Sequence, residues 1–357
     1  MTVPGPPLRA MIVIISIIIA LVAAFYASLL PEIPMFSRAS SSKAVPAAIS
    51  SLTAKVQDTT SNTTTVPGRA PVYFFSHGGP DVMFNKDHAV FPVLQEIGRE
   101  ITQKVKPKAI VVFSAHWQAK PNLIQVNDAA ETDLIYDFYG FPDNYYKVQY
   151  PNKGDPGLAS RIIDLLSSAG IKAEGVKRGL DHGVWAGFHV AFDPVKNPLQ
   201  VPLVQVSLFK SEDPDQHYRL GQAVAPLRDE GIVIIGAGMS VHNLRDMWDV
   251  MASDDPTRPL PYAISFDNAL KEAVEAPVEQ RQLRLAAVCG RPDARQAHPW
   301  MDHLMPVHVT AGAAGQDLGK QIWTLHEGNF AWAQYRFGEI PGAESRPDGD
   351  EDADSRL

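Results

Sequence analysis

Cysteine is almost absent: Cys289 stands alone in 357 residues. No disulfide can close within the chain, and no thiolate cluster can hold a metal. A metal, if there is one, must be taken by His, Asp or Glu. Concentrated positive charge is missing as well. There are 32 basic residues against 40 acidic ones, a formal charge of −8, and six acids against two arginines in residues 341–357 supply half of it. No Lys/Arg cluster offers a phosphate-binding footprint, so nucleic acid is not an expected partner. Internal repeats are lacking too, and at 45% hydrophobic and 20% charged the composition excludes a chain that stays unfolded.

What is present is unevenly spread. Residues 11–30 form an apolar run with no charged side chain. As a helix, twenty residues cover about 30 Å, the thickness of a bilayer's hydrocarbon core. Segment 1–33 is therefore expected to be a single-pass membrane anchor, with a signal segment cleaved before secretion as the alternative. Residues 34–70 are rich in Ser and Thr and read as a flexible linker. The sequon Asn62-Thr63-Thr64 there tilts the expectation towards a lumenal or extracellular catalytic domain. Residues 341–357 read as a solvated acidic tail.

Between them, 71–340 carries the pattern of one α/β domain. Residues 72–75, 109–114, 203–208 and 232–236 are short, nearly continuous apolar runs, as strands buried on both faces require. Helical stretches alternate with them. Asp155-Pro156 opens one, with Leu158, Ile162, Leu165 and Leu166 as its stripe and Gly170 as its stop; Asp213-Pro214 opens another that runs towards Gly231. This alternation predicts a largely parallel central sheet flanked by helices.

The histidines fall at matching places. The first run leads into Ser76-His77-Gly78-Gly79-Pro80, the second into Ala115-His116-Trp117, and the fourth towards Val241-His242-Asn243-Leu244. Leu180-Asp181-His182-Gly183 opens a further helix. Ligand crevices of open α/β sheets form at the carboxyl ends of strands, and neutral imidazole there suits Fe(II) or Zn(II). Taken singly, each of these residues reads first as a hydrogen-bonded core imidazole; three in equivalent places put a metal site on an even footing with that reading.

Six segments in order resemble the class III extradiol ring-cleavage dioxygenases, the LigB-type family, most closely its 4,5-DOPA branch. They are His77-Gly78-Gly79-Pro80, Ser114-Ala115-His116-Trp117, Asp137-Phe138-Tyr139-Gly140-Phe141-Pro142, Gly179-Leu180-Asp181-His182-Gly183-Val184-Trp185, Val241-His242-Asn243-Leu244, and His298-Pro299 with His303-Leu304-Met305-Pro306. The likeness runs from about residue 73 to about 315. It implies metal ligands at His77, His116 and His242, with a carboxylate as the alternative third ligand. It implies an acid–base role for His182, and a substrate pocket lined by His303 and His298. The implied reaction is extradiol cleavage of a catechol, DOPA-like, by O2 at a non-haem Fe(II) centre to give a semialdehyde. The same histidines would also suit a zinc hydrolase, and the fold could serve as a non-enzymatic binding module. Oligomeric state is not legible. Trp117, Trp185 and Phe188 are expected to pack beneath the site; Tyr136, Tyr139, Tyr145 and Tyr146 form an aromatic wall or lid; Lys147 and Arg178 read as solvated cations.

Overall fold

The four apolar runs become the four central strands because each is buried on both faces, so alternate side chains serve two separate cores. A computed structural model describes residues 68–341. The chain runs β1 (Val72–Ser76), α1 (Val90–Arg99), β2 (Ala109–Gln118), β3 (Ile124–Asn127), α2 (Pro156–Ser168), β4 (Ala173–Val176) and α3 (His182–Ala191). It continues through β5 (Leu203–Leu208), α4 (Pro214–Val224), β6 (Ile232–Gly238), β7 (Val241–His242), α5 (Met247–Met251), α6 (Pro261–Val274), α7 (Val278–Cys289) and α8 (Ala294–Ala297). It ends with α9 (Met305–Ala314), β8 (Gly319–Trp323), β9 (His326–Glu327), β10 (Phe330–Ala331) and β11 (Gln334–Phe337).

The main sheet has the order β4-β3-β5-β2-β6-β1-β11-β8. Its centre, β5-β2-β6-β1, is parallel throughout, while β11 and β8 add an antiparallel edge. On the other side β3 lies antiparallel to β5. From β1, Val72 and Phe74 face the core covered by α2, α4, α6, α7 and α9; Tyr73 and Phe75 face the core covered by α1 and α3. A second, three-stranded ribbon, β7-β10-β9, stands apart from the main sheet.

The helix starts follow their sequence signals. Asp155 caps α2 by accepting from the Leu158 backbone N–H at 2.9 Å, and Asp213 caps α4 by accepting from Asp215 and Gln216. Gly170 and Gly231, the expected stops, both take positive φ.

The expected membrane anchor is corrected here. Among the described residues no helix is long and apolar enough to cross a membrane. The longest, α6, has 14 residues, where a span needs about 20. The run 11–30 on which that expectation rested lies outside the described residues, as do the rest of 1–33, most of the linker and 342–357. A membrane partner, a single-pass topology and a lumenal or secreted domain are accordingly withdrawn.

One buried group in the scaffold makes stability depend on pH. His217 on α4 is fully buried and donates its Nδ1–H to the Asp213 carbonyl at 2.8 Å. Burial pushes its pKa down from 6.5 to about 4. The folded protein thus keeps it neutral while the unfolded chain binds a proton below about 6.5. Its contribution is fully present above that pH and is lost as pH falls towards 4, on the order of 3 kcal/mol. Melting temperature should fall across this window, and less steeply in His217→Gln. An unchanged pH slope in that variant would mean another group is responsible.

Candidate active site

His77 leaves the end of β1 on a turn that only glycine can make. Gly78 takes φ +68°, and a Cβ there would stand 2.4 Å from the Trp332 ring. The turn lets His77 donate its Nδ1–H to the Gly78 carbonyl at 2.6 Å. Its Nε2 is left buried with no hydrogen-bond partner.

His116 lies inside β2, which runs past the expected end at residue 114 to Gln118. Its Nδ1–H donates to Asp137 Oδ2 at 3.0 Å. Its Nε2 lies 3.2 Å from the Nε2 of His303. Backbone approach brings His303 there: a Cβ on Gly238, at the end of β6, would stand 2.2 Å from the His303 carbonyl oxygen, and Met239 N–H donates to that oxygen at 3.0 Å. Ligand nitrogens of His77, His116 and His303 all fall within 4.8 Å of one another. His303 Nδ1 is 3.2 Å from Asp302 Oδ1 but lacks hydrogen-bond alignment.

His242 sits on β7, opposite Phe330 of β10, and its ring stacks face to face on His303, centroids 3.7 Å apart and 8° from parallel. His298, expected to line the pocket, is instead fully buried and donates its Nε2–H to the Ser240 carbonyl at 2.9 Å. It thereby braces the segment that delivers His242.

His182 is the first residue of α3. Its backbone N–H and Nδ1–H both donate to Asp137 Oδ1, at 2.9 and 2.8 Å. Its ring lies 4.1 Å from that of His116, and Phe138 meets it edge-on at 5.5 Å. Asp181, just before it, is fully buried and accepts from Ser114 Oγ at 2.6 Å, from Arg178 at 2.9 Å and from Gln205 Nε2. Ser114 Oγ also accepts from the His116 backbone N–H. The end of β2 and the start of α3 are therefore locked together. Arg178, expected as a solvated cation, is paired with this carboxylate and lies 4.6 Å from the centre of the Trp117 ring.

The electrostatics suit a cation. Burial, then the neighbouring imidazoles, holds His77 and His303 well below the usual imidazole range, and the same order of causes applies to His242. At neutral pH these rings are neutral, the form that binds metal. Burial also lowers His182. In His116 the pull of burial is outweighed by the hydrogen bond to Asp137 and by the charges of Asp181 and Asp137, so its pKa rises. His182 bonds the same carboxylate yet moves the other way because burial, helped by the charge of His116, outweighs that bond. Burial tends to raise Asp137, but hydrogen bonds from both imidazoles hold it well below the carboxylate range.

Two facing nitrogens at 3.2 Å and an orphaned buried nitrogen beside them fit a shared divalent ion. Nitrogens bound to one metal at about 2.1 Å sit roughly 3.0–3.4 Å apart. Among the described residues no carboxylate belongs to this nitrogen group; a second group of possible donors, His116, Asp137 and His182, shares only His116 with it, and there both Nδ1 atoms are bonded to Asp137.

The family described as the catalytic LigB subunit of aromatic ring-opening dioxygenase matches residues 71–338. The chain belongs to the LigB family. Relatives agree with the match. The chain is 35% identical over 271 residues to the 4,5-DOPA dioxygenase extradiol of Beta vulgaris, covering 74% of this chain and 95% of that protein. It is 32% identical over 248 residues to the protein of that name from Escherichia coli K12, covering 69% and 85%. A crystal structure of an uncharacterized Escherichia coli K12 protein superposes with a TM-score of 0.60 at 28% identity, covering 76% of this chain and all of that one. This LigB-family protein is an extradiol-type dioxygenase, and the hydrolase and binding-module readings find no support.

Two features of the LigB site escape the sequence pattern. Asp137 lies in a recognised segment, yet nothing in its spacing announces that it meets two histidines. His303 was expected as a pocket residue, and only the fold sets it against His116.

Proposed function

We propose that this dioxygenase opens the ring of a DOPA-like catechol beside its two hydroxyls, giving a semialdehyde. His77, His116 and His303 would hold Fe(II), and His242, the third ligand that the resemblance implies, packs face to face on His303 beside them. The observation that carries the reading is the group of three imidazole nitrogens within 4.8 Å, with His182 beside it and turned away onto Asp137. When bound, Fe(II) supplies the redox chemistry that lets dioxygen react with a catechol, which closed-shell Zn(II) does not.

The chain's own residues do the rest. His182 has Nδ1 committed to Asp137, so its Nε2 is the nitrogen free to take a catechol proton and to return one as the ring opens. Its lowered pKa keeps it in the base form at neutral pH. Phe138 walls the imidazole on one side, and the aromatic stretch packs against α3 through Tyr136 and Trp185, 5.5 Å apart. The names of the relatives support a DOPA-like substrate.

The test is made on the full chain, purified without oxygen and loaded with Fe(II) or with Zn(II). Adding a catechol panel and then oxygen should give oxygen uptake and a new semialdehyde absorbance with Fe(II) only. Silence of the iron-loaded protein across the panel would overturn the proposal.

A further inference from the structure

We infer that Asp137 is a positioning residue that sets the tautomers of a metal ligand and of the acid–base group together. The inference rests on the reading of His116 as a ligand and His182 as the acid–base residue. Three hydrogen bonds carry it. Asp137 Oδ2 accepts from His116 Nδ1, and Asp137 Oδ1 accepts from both the Nδ1 and the backbone N–H of His182. An ionised carboxylate only accepts, so both imidazoles must carry their proton on Nδ1. In the neutral rings Nε2 is then the unprotonated nitrogen, that of His116 for the ion and that of His182 for a substrate proton. A partner on the far nitrogen orients a metal-binding imidazole. Here one carboxylate serves two imidazoles with different tasks, and its side chain is about a quarter exposed, 24%, so a small anion can reach its place.

The two substitutions separate the tasks. An amide has one accepting oxygen and one donating nitrogen. In Asp137→Asn the oxygen is held by the two donors of His182, so the amide N–H group faces His116. His116 must then protonate Nε2 and lose its hold on the ion. Asp137→Ala removes both partners.

Affinity for Zn(II), measured by chelator competition on the full chain, should fall about 10- to 100-fold in both variants. At saturating Fe(II) both variants should lose kcat at little change in KM, Asp137→Ala more than Asp137→Asn, whose amide oxygen still holds His182. Formate should restore Asp137→Ala in both respects. A merely structural residue would not divide the two variants in this way. Zn(II) bound by Asp137→Asn as tightly as by the parent would overturn the inference. His116→Ala is the control: if it too binds Zn(II) at parental affinity, the ligand reading itself has failed. Should the variants not fold, imidazole 15N resonances of the Zn(II)-loaded parent decide. Protons on Nδ1 of both His116 and His182 are expected, and an Nε2–H on either overturns the inference.

Discussion

Alanine at His182 should leave the metal in place and lower ring cleavage by about 10²- to 10⁴-fold, the usual span for losing a general acid–base group. The expectation follows from where the ring is tied. Its Nδ1 belongs to Asp137, and it is absent from the group formed by His77, His116 and His303. Removing it takes away no nitrogen of that group. The loss should appear in kcat, with metal content per chain unchanged by elemental analysis. The pH profile adds a second readout. Burial, opposed by the hydrogen bond to Asp137, leaves the His182 pKa below 6.5. The rate of the parent should therefore rise with pH on a limb lying below that of a free imidazole, and the variant should lack that limb. Metal lost from the variant would make His182 a ligand and defeat the assignment.

His77→Ala should do the opposite: empty the site first, and bring ring cleavage below detection as a consequence. Its Nε2 is buried with no hydrogen-bond partner, so the ion is its natural partner. Its ring sits 5.2 Å from that of His116 and 5.4 Å from that of His303. A thermal measurement separates this from a general folding defect. Zn(II) at about a thousand times its dissociation constant raises stability by roughly 4 kcal/mol through mass action. The parent should show that rise in melting temperature and His77→Ala should not. A full metal-induced rise in the variant would remove His77 from the ligand set.

Some of this was legible in contiguous residues. The four apolar runs are the four central parallel strands, since burial on both faces removes polar residues from the run itself. Asp155 and Asp213 cap the helices they were expected to open, because capping needs only residues a few positions apart. His77 follows the carboxyl end of β1 and His116 lies near that of β2, two parallel strands with β6 between them. The antiparallel edge, β8 and β11, and the ribbon that carries His242 were not legible. Strands of two residues, such as β7, β9 and β10, hold no period to detect.

The sequence by itself determined the parallel core, the exclusion of thiolate ligands by a lone cysteine, and the placing of His77 and His116 towards the carboxyl ends of two of its strands. Tertiary structure decided their partnerships. His303 reaches His116 across 187 residues because Gly238 lets its backbone settle onto the end of β6. Asp137 reaches His182 across 45 residues because the Asp181–Ser114 bond fixes α3 beside β2. Strands, caps and turns are written in neighbouring residues, which the backbone brings together at every repeat. Contacts between distant segments form only where packing leaves room, and such packing has no local pattern.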